Sequence, residues 1–220
     1  MHAGTPPETA RTAPLAPLEA QNDAVLGALD GICYVTDCDG RIRQVGQRNW
    51  ERFARENDAP ELLSASVVGR SVFDFMSGNA VQTELRNVFR TLKTRERERW
   101  LMPFRCDSPG ERRNMRLSIT PIDGKGGVAG FLFQSILLSV ETRPPIDLFD
   151  FKALSGLMAE LRDLPLVRMC SYCQRVNDEE HTHGDWQEAE RYYALGGTSQ
   201  VRISHGICGP CRIVVEAAYR

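Results

Sequence analysis

The sequence predicts an α+β fold: an antiparallel sheet with helices on one face, followed by a small metal-stapled tail. Three observations carry this. Asp39-Gly40 separates two strand-like runs near the N-terminus. After a helical stretch, three more strand-like runs succeed one another between Trp100 and Val140. Two Cys-x-x-Cys pairs, Cys170/Cys173 and Cys208/Cys211, lie near the C-terminus.

Each element has a local reason. Residues 1–17 hold Pro6, Pro7, Pro14 and Pro17 among Ala, Thr and Gly. With few large apolar groups such a stretch cannot repay its ordering entropy, so a disordered tail is predicted. Leu18, Val25, Leu26 and Leu29 suggest a short entry helix. Ile32 to Val35 and Arg41 to Val45 flank Asp39-Gly40, a hairpin signal because Gly accepts the positive φ of a tight turn. Trp50, Phe53, Ala54 and Asn57 fall at helical spacing, as do Val81, Leu85, Val88, Phe89 and Leu92. Trp100, Met102, Phe104 and Cys106 alternate with more polar positions, and Met115, Leu117 and Ile119 do the same. Residues 128–140 are almost continuously apolar and predict a central, well-buried strand. Ser108-Pro109-Gly110 and Asp123 to Gly127 are turn chemistry. Strands, then helices, then three strands in hairpin succession define the α+β class.

The element order, the hairpin YVTDCDGRI and the turn VVGRSVFDF resemble a PAS domain over roughly residues 25–142. The segments NWERFARENDAP and PFRCDSP are similar to a group of uncharacterised bacterial PAS-like proteins. The resemblance implies a five-stranded sheet, a ligand pocket beneath the helices, and a sensory or interaction role. The predicted division is a tail at 1–17, a sensor at 18–142, a linker at 143–165 and a four-cysteine module at 166–220. Within the linker, Leu148, Phe151, Leu154, Leu157, Met158 and Leu161 mark an amphipathic helix that Pro165 ends. Such a helix either covers the sheet or pairs with a second copy in a homodimer.

The cysteines carry the sharpest chemistry. A two-residue gap lets one tight turn aim two sulfurs at a point, and two such turns supply the four thiolates of tetrahedral zinc. A tail of some fifty residues with few large apolar groups also needs a staple. Cys170, Cys173, Cys208 and Cys211 are therefore the predicted ligands of one structural zinc. Iron in the same site and a pair of redox-active Cys-x-x-Cys turns remain open on sequence grounds. His205, three residues before Cys208, is either a substitute ligand or a neighbour that orients the site. His181 and His183 read as solvated loop residues; Trp186 with Tyr192 or Tyr193 read as core. The ordered set CSYCQRV, Trp186, Tyr192 or Tyr193, and ISHGICGPC is similar to a short module found after PAS or receiver domains in bacterial signalling proteins.

Composition narrows the function. With 42% hydrophobic and 25% charged residues and a formal net charge of −2, nothing favours nucleic acid or an anionic membrane as partner. No run approaches a membrane span and no signal core opens the chain, so the expected location is the cytoplasm. Seven cysteines in a reducing compartment point to metal or burial rather than disulfides. Cys106 reads as a buried small hydrophobe, with a sensing thiol as its rival. No histidine lies between Gly4 and Glu180, which excludes a haem held there by the usual proximal histidine; the sensor's ligand, if any, is otherwise unknown. No nucleophile elbow, phosphate loop or kinase motif set is found, so no enzyme is expected. The expected function is a signalling adaptor with a protein partner. The alternatives are a transcription-associated regulator whose zinc module touches nucleic acid, and a thiol redox sensor.

Overall fold

The computed structural model describes residues 18–57, 59–76, 78–150 and 164–217. The predicted tail at 1–17 and most of the predicted linker helix lie outside these residues. Helix α1 (Leu18–Ala28) leads into β1 (Ile32–Asp37) and β2 (Ile42–Val45). Asp37 closes the turn between them by accepting the N–H groups of Asp39 at 3.0 Å and Arg41 at 2.8 Å. Gly40 takes φ +86° there, as the hairpin reading requires. Then come α2 (Gln47–Glu56), a short α3 (Ser64–Val67), a 3-10 turn at Val72–Phe75 and α4 (Asn79–Lys93). A Ser71–Asp74 capping box holds the 3-10 turn, which accounts for Asp74 without chemistry.

β3 (Trp100–Arg105), β4 (Glu111–Gly124) and β5 (Gly127–Thr142) complete a five-stranded antiparallel sheet. Its order is β2-β1-β5-β4-β3, so the longest apolar run is the central strand as predicted. The helices lie across one face. Phe89 of α4 stacks on Phe131 of β5 at 4.3 Å, and Tyr34 of β1 stacks on Phe133 at 4.5 Å. Ile42, Leu85, Val88, Leu92, Trp100, Met102 and Ile119 fill the space around them. Burying each such side chain contributes about 1.5–3 kcal/mol.

Two sequence expectations need correction. β5 is well buried only along its first half: Leu137, Leu138 and Val140 are 51%, 55% and 44% exposed. The β4–β5 ladder runs on to Glu111↔Thr142, whereas β1 stops at its Ile32↔Ser135 pair, so the far end of β5 outruns its other neighbour. β3 also ends at Arg105, one residue short of Cys106, although the Cys106 N–H still bonds to Arg113 O at 3.1 Å.

The C-terminal part builds a second, smaller sheet from β6 (Leu166–Cys170), β7 (Val176–Asn177) and β8 (Arg202–Gly206), with α5 (Ala189–Ala194) before β8 and α6 (Gly209–Ala217) after it. The order is β7-β6-β8, and β6 runs parallel to β8. Tyr192 of α5 is the largest fully buried side chain here, and its hydroxyl donates to Thr198 O at 3.0 Å. The core-filler reading of Tyr192 therefore holds, while Trp186 is only half-buried. Ile146, Leu148 and Phe149, from the start of the linker, belong to this second core. In the other direction, Val215 of α6 is buried in the core of the large sheet.

Candidate metal centre and the cavity beside it

The parallel pairing of β6 with β8 assembles the cysteines. It sets Cys170, the last residue of β6, opposite Gly206, the last residue of β8. Cys208 follows two residues later and Cys211 sits in the first turn of α6. Between Cys170 and β7 the chain makes a tight knuckle: Gln174 N donates to Cys170 O at 2.9 Å and Gln174 adopts φ +56°. Cys173 lies inside that turn. The four sulfurs all fall within 4.8 Å of one another, with Cys173 and Cys208 3.6 Å apart. Tetrahedral zinc–thiolate bonds of about 2.3 Å would hold sulfurs about 3.8 Å apart, so the residues present fit such an ion.

Electrostatics point the same way. Hydrogen bonds from the Cys173 and Cys211 thiols, then from the Cys208 and Cys173 N–H groups, hold the Cys170 thiol far below its ordinary value despite burial. Cys173 is pushed up to about 12, first by its bond to Cys170, and Cys211 is pushed up by Cys170 and Cys173. One thiolate forms readily in this cluster, and its neighbours then resist ionising beside it. A divalent cation removes that conflict, because each thiolate faces positive charge.

The remaining cysteines stand apart. Burial first, then Asp30, pushes the Cys33 thiol up to about 11. Cys38 donates to Val128 O at 3.0 Å. Cys106 is half-buried rather than fully buried as expected, and what burial it has is the chief cause that pushes its thiol up. His205 belongs to β8 and is not among the four clustered ligands. His181 differs from its solvated-loop reading: its Nδ1 lies 2.6 Å from Asp178 Oδ2, and its ring meets Tyr192 edge-on. His183 is exposed, as expected.

The knuckle is docked on the large sheet through a set of charges that sequence reasoning missed. Arg105 N donates to Tyr172 O at 2.6 Å, and Asp107 N donates to Gln174 Oε1 at 2.8 Å. Arg105 pairs with Asp107 and reaches Glu188 at 2.6 Å. Arg143 bridges Asp107 at 3.0 Å and Glu190 at 3.2 Å, while Arg112 meets Glu190 at 3.0 Å. The side chain of Asp107 is 0% exposed and that of Arg143 is 8% exposed. Arg105 and Asp107 both lie in the segment PFRCDSP, distinctive in sequence yet without chemistry until its partner 83 residues away is seen. On the opposite side Gly78, at φ +94°, is so close to β8 that a Cβ would lie 2.7 Å from His205 O.

Between the large sheet, α4 and the knuckle lies a cavity of about 310 Å³. Tyr34, Leu85, Trp100 and Phe133 wall it from the large sheet and α4, and Met169, Cys170, Tyr172 and His205 from the tail.

The chain is thus an α+β fold, a five-stranded antiparallel sheet with helices on one face, carrying four clustered cysteines that could hold a metal ion. No family model matches the sequence, and no curated protein matches it. Among solved structures it is similar to the PAS domain of BvgS from Bordetella pertussis, at 15% identity over 65% of this chain and 98% of that one, with a TM-score of 0.42. It is also similar to the PAS domain of an HTR-like protein from Haloarcula marismortui, at 19% identity over 55% of this chain and 91% of that one, with a TM-score of 0.38. A third is the VqmA dimer of Vibrio cholerae, described among LuxR-type receptors, at 16% identity, 56% of this chain, 52% of that one and a TM-score of 0.41. These likenesses concern the fold alone.

Proposed function

We propose that the chain is a cytoplasmic signalling adaptor: a PAS-like sensor, residues 18–142, coupled to a zinc-stapled protein-interaction module, residues 166–220, without catalytic output of its own. One observation carries the proposal: a single cavity is walled by both parts, so whatever changes its contents acts on the sensor core and the knuckle together. The structural role of the metal is supported by the ligand set, because four thiolates leave no open position for a substrate. A reducing compartment suits that ligand set, since thiolates bind metal only while they stay reduced. No described helix is long and apolar enough to cross a membrane.

The rival reading, a nucleic-acid contact, meets an electrostatic objection. Arg175 is engaged with Glu188, and Arg105, Arg112 and Arg143 with acids of the interface. From Arg168 to Arg220 six arginines face seven acids, and four thiolates with one zinc add further negative charge. Clustered free cations, which phosphate binding needs, are not favoured by this balance.

Two measurements test the proposal. Native mass spectrometry of freshly purified protein should show one zinc per chain; a metal-free mass with four alkylatable thiols removes the stapled module. Crosslinking in cells should then recover the same partner protein with the intact chain and lose it with Cys208→Ser. A partner retained equally by both variants would place the interaction outside the module and refute the adaptor arrangement.

A further inference from the structure

We propose that the uncovered end of β5 is the surface on which a second copy of this chain docks. β1 stops opposite Ser135, so from Ile136 to Thr142 the strand has β4 on one side and, among the described residues, no backbone partner on the other. Strand edges that stay free in solution are blunted, above all by lysine or proline. This stretch reads Ile-Leu-Leu-Ser-Val-Glu-Thr and has neither. Its apolar groups are instead turned to solvent: Leu137, Leu138 and Val140 are each about half exposed. Single apolar residues scattered over a surface are ordinary, but neighbouring ones exposed together mark a place where something binds.

Shape and charge together select the occupant. Leu138 is the extra residue of a bulge, since the register to β4 passes from Met115↔Leu137 to Asn114↔Ser139 and skips it. A bulge re-aims a side chain and interrupts a regular ladder, so contact here is made by side chains rather than by continued sheet. The flanking residues Leu137 and Val140 line an open groove of about 470 Å³ between α2 and β5, with Phe53 on its helical side. A protruding apolar side chain next to an apolar groove is self-complementary: under a two-fold axis, the Leu138 of each copy enters the groove of the other. The charges of the groove allow this. Arg52 pairs with Glu56 at 4.0 Å and Arg113 with Glu111 at 3.1 Å, so both signs are present equally and each is paired within its own chain. A copy bringing the same balanced set meets no net repulsion, whereas a strongly acidic or basic partner finds no free counter-charge. This end of β5 holds none of the clustered cysteines and shares no lining residue with the cavity at the knuckle, so the adaptor reading stands or falls separately.

The test is sedimentation equilibrium of the full-length protein, as purified, across the micromolar range. Wild type should form a dimer. Leu138→Asp should raise the dissociation constant at least about thirtyfold, because every dimer loses two buried leucines and gains two buried charges. Leu138 is already half exposed in the single chain, so this variant should keep the wild-type far-UV spectrum. Should it not, Val140→Lys, at a separate exposed position, carries the same test. Ile213→Asp changes another solvent-facing apolar residue, on α6, and should leave the dimer intact. Wild type that stays monomeric overturns the proposal, and the patch then belongs to residues 151–163 of this chain or to a different protein. A dimer that survives both Leu138→Asp and Val140→Lys, or that Ile213→Asp dissolves, also overturns it, because the copies then meet elsewhere.

Discussion

The backbone N–H of Arg105, the last residue of the large sheet's edge strand, donates to the carbonyl of Tyr172, in the middle of the cysteine knuckle, at 2.6 Å. One backbone hydrogen bond thus ties a residue of the sheet to a residue that stands between two metal-ligand candidates. Removal of the proposed metal should therefore be felt in the sheet first at Arg105.

Cys208→Ser removes one sulfur from the residue whose N–H donates to Cys170 Sγ at 3.4 Å. Metal-binding energy in such a module is largely folding energy, so zinc content should fall and residues 166–217 should lose hydrogen-exchange protection. Protection should also fall at Arg105 and Asp107, while Phe131 and Phe133 at the sheet centre keep theirs. Cys106→Ala should leave zinc in place and cost about 1 kcal/mol in urea unfolding.

Asp107→Asn tests the interfacial charges. Asp107 is wholly buried between the guanidinium groups of Arg105 and Arg143 and also accepts Arg113 N at 3.2 Å. Neutralising it leaves two buried cations short of a partner, for a loss of about 3 kcal/mol by urea midpoint. A loss below about 0.5 kcal/mol would mean that the network behaves as an exposed surface pair.

The same interface sets a pH dependence. Burial pushes the Glu188 carboxyl up, but hydrogen bonds from Arg105 and Arg175 outweigh this and hold it below its ordinary value. A carboxyl lowered in the folded state contributes stability above its unfolded value of 4.5, and that contribution is lost as pH falls through the lowered value. Wild type should exceed Glu188→Gln in urea stability at neutral pH, and the gap should close in acid. Metal release in acid affects both proteins and cancels in the comparison.

Gly197→Ala probes the small core. A Cβ at this position would penetrate the ring of Tyr192, which is 1% exposed and anchored by its hydroxyl to Thr198. The ring has no free direction, so overpacking should cost about 2 kcal/mol or more and lower the thermal midpoint. An unchanged midpoint would show that the ring can swing aside.

Duplex DNA should not be retained by the protein at micromolar concentration in physiological salt. Retention that weakens steeply as salt rises would restore the nucleic-acid reading.

Local chemistry was legible in the sequence and distant pairing was not. The Asp39-Gly40 hairpin, the face of α4 and the succession β3-β4-β5 follow from periodicity and turn residues close in the chain. The cysteine cluster could be anticipated because two short spacings signal it, whichever way the 34 residues between them run. The parallel β6–β8 pairing that brings Cys170 to Cys208 has no local mark. Nor has the pairing of Arg105 with Glu188, since a charged residue in a loop looks the same whether it meets water or a partner. Leu137 and Leu138 misled for a related reason: apolar runs predict burial, but coverage depends on how far a neighbouring strand extends.

The parallel register of β6 and β8 also orders events in time. Cys170 and Cys173 meet within one turn as soon as that turn forms, whereas Cys208 and Cys211 arrive only when the intervening 34 residues have closed into a loop. Turn formation is fast, while non-local pairing has to meet its loop-closure entropy before any contact rewards it. A nascent tail therefore offers an ion two sulfurs first and four only at the end. The closing of β8 onto β6 is thus the step that completes the four-sulfur set.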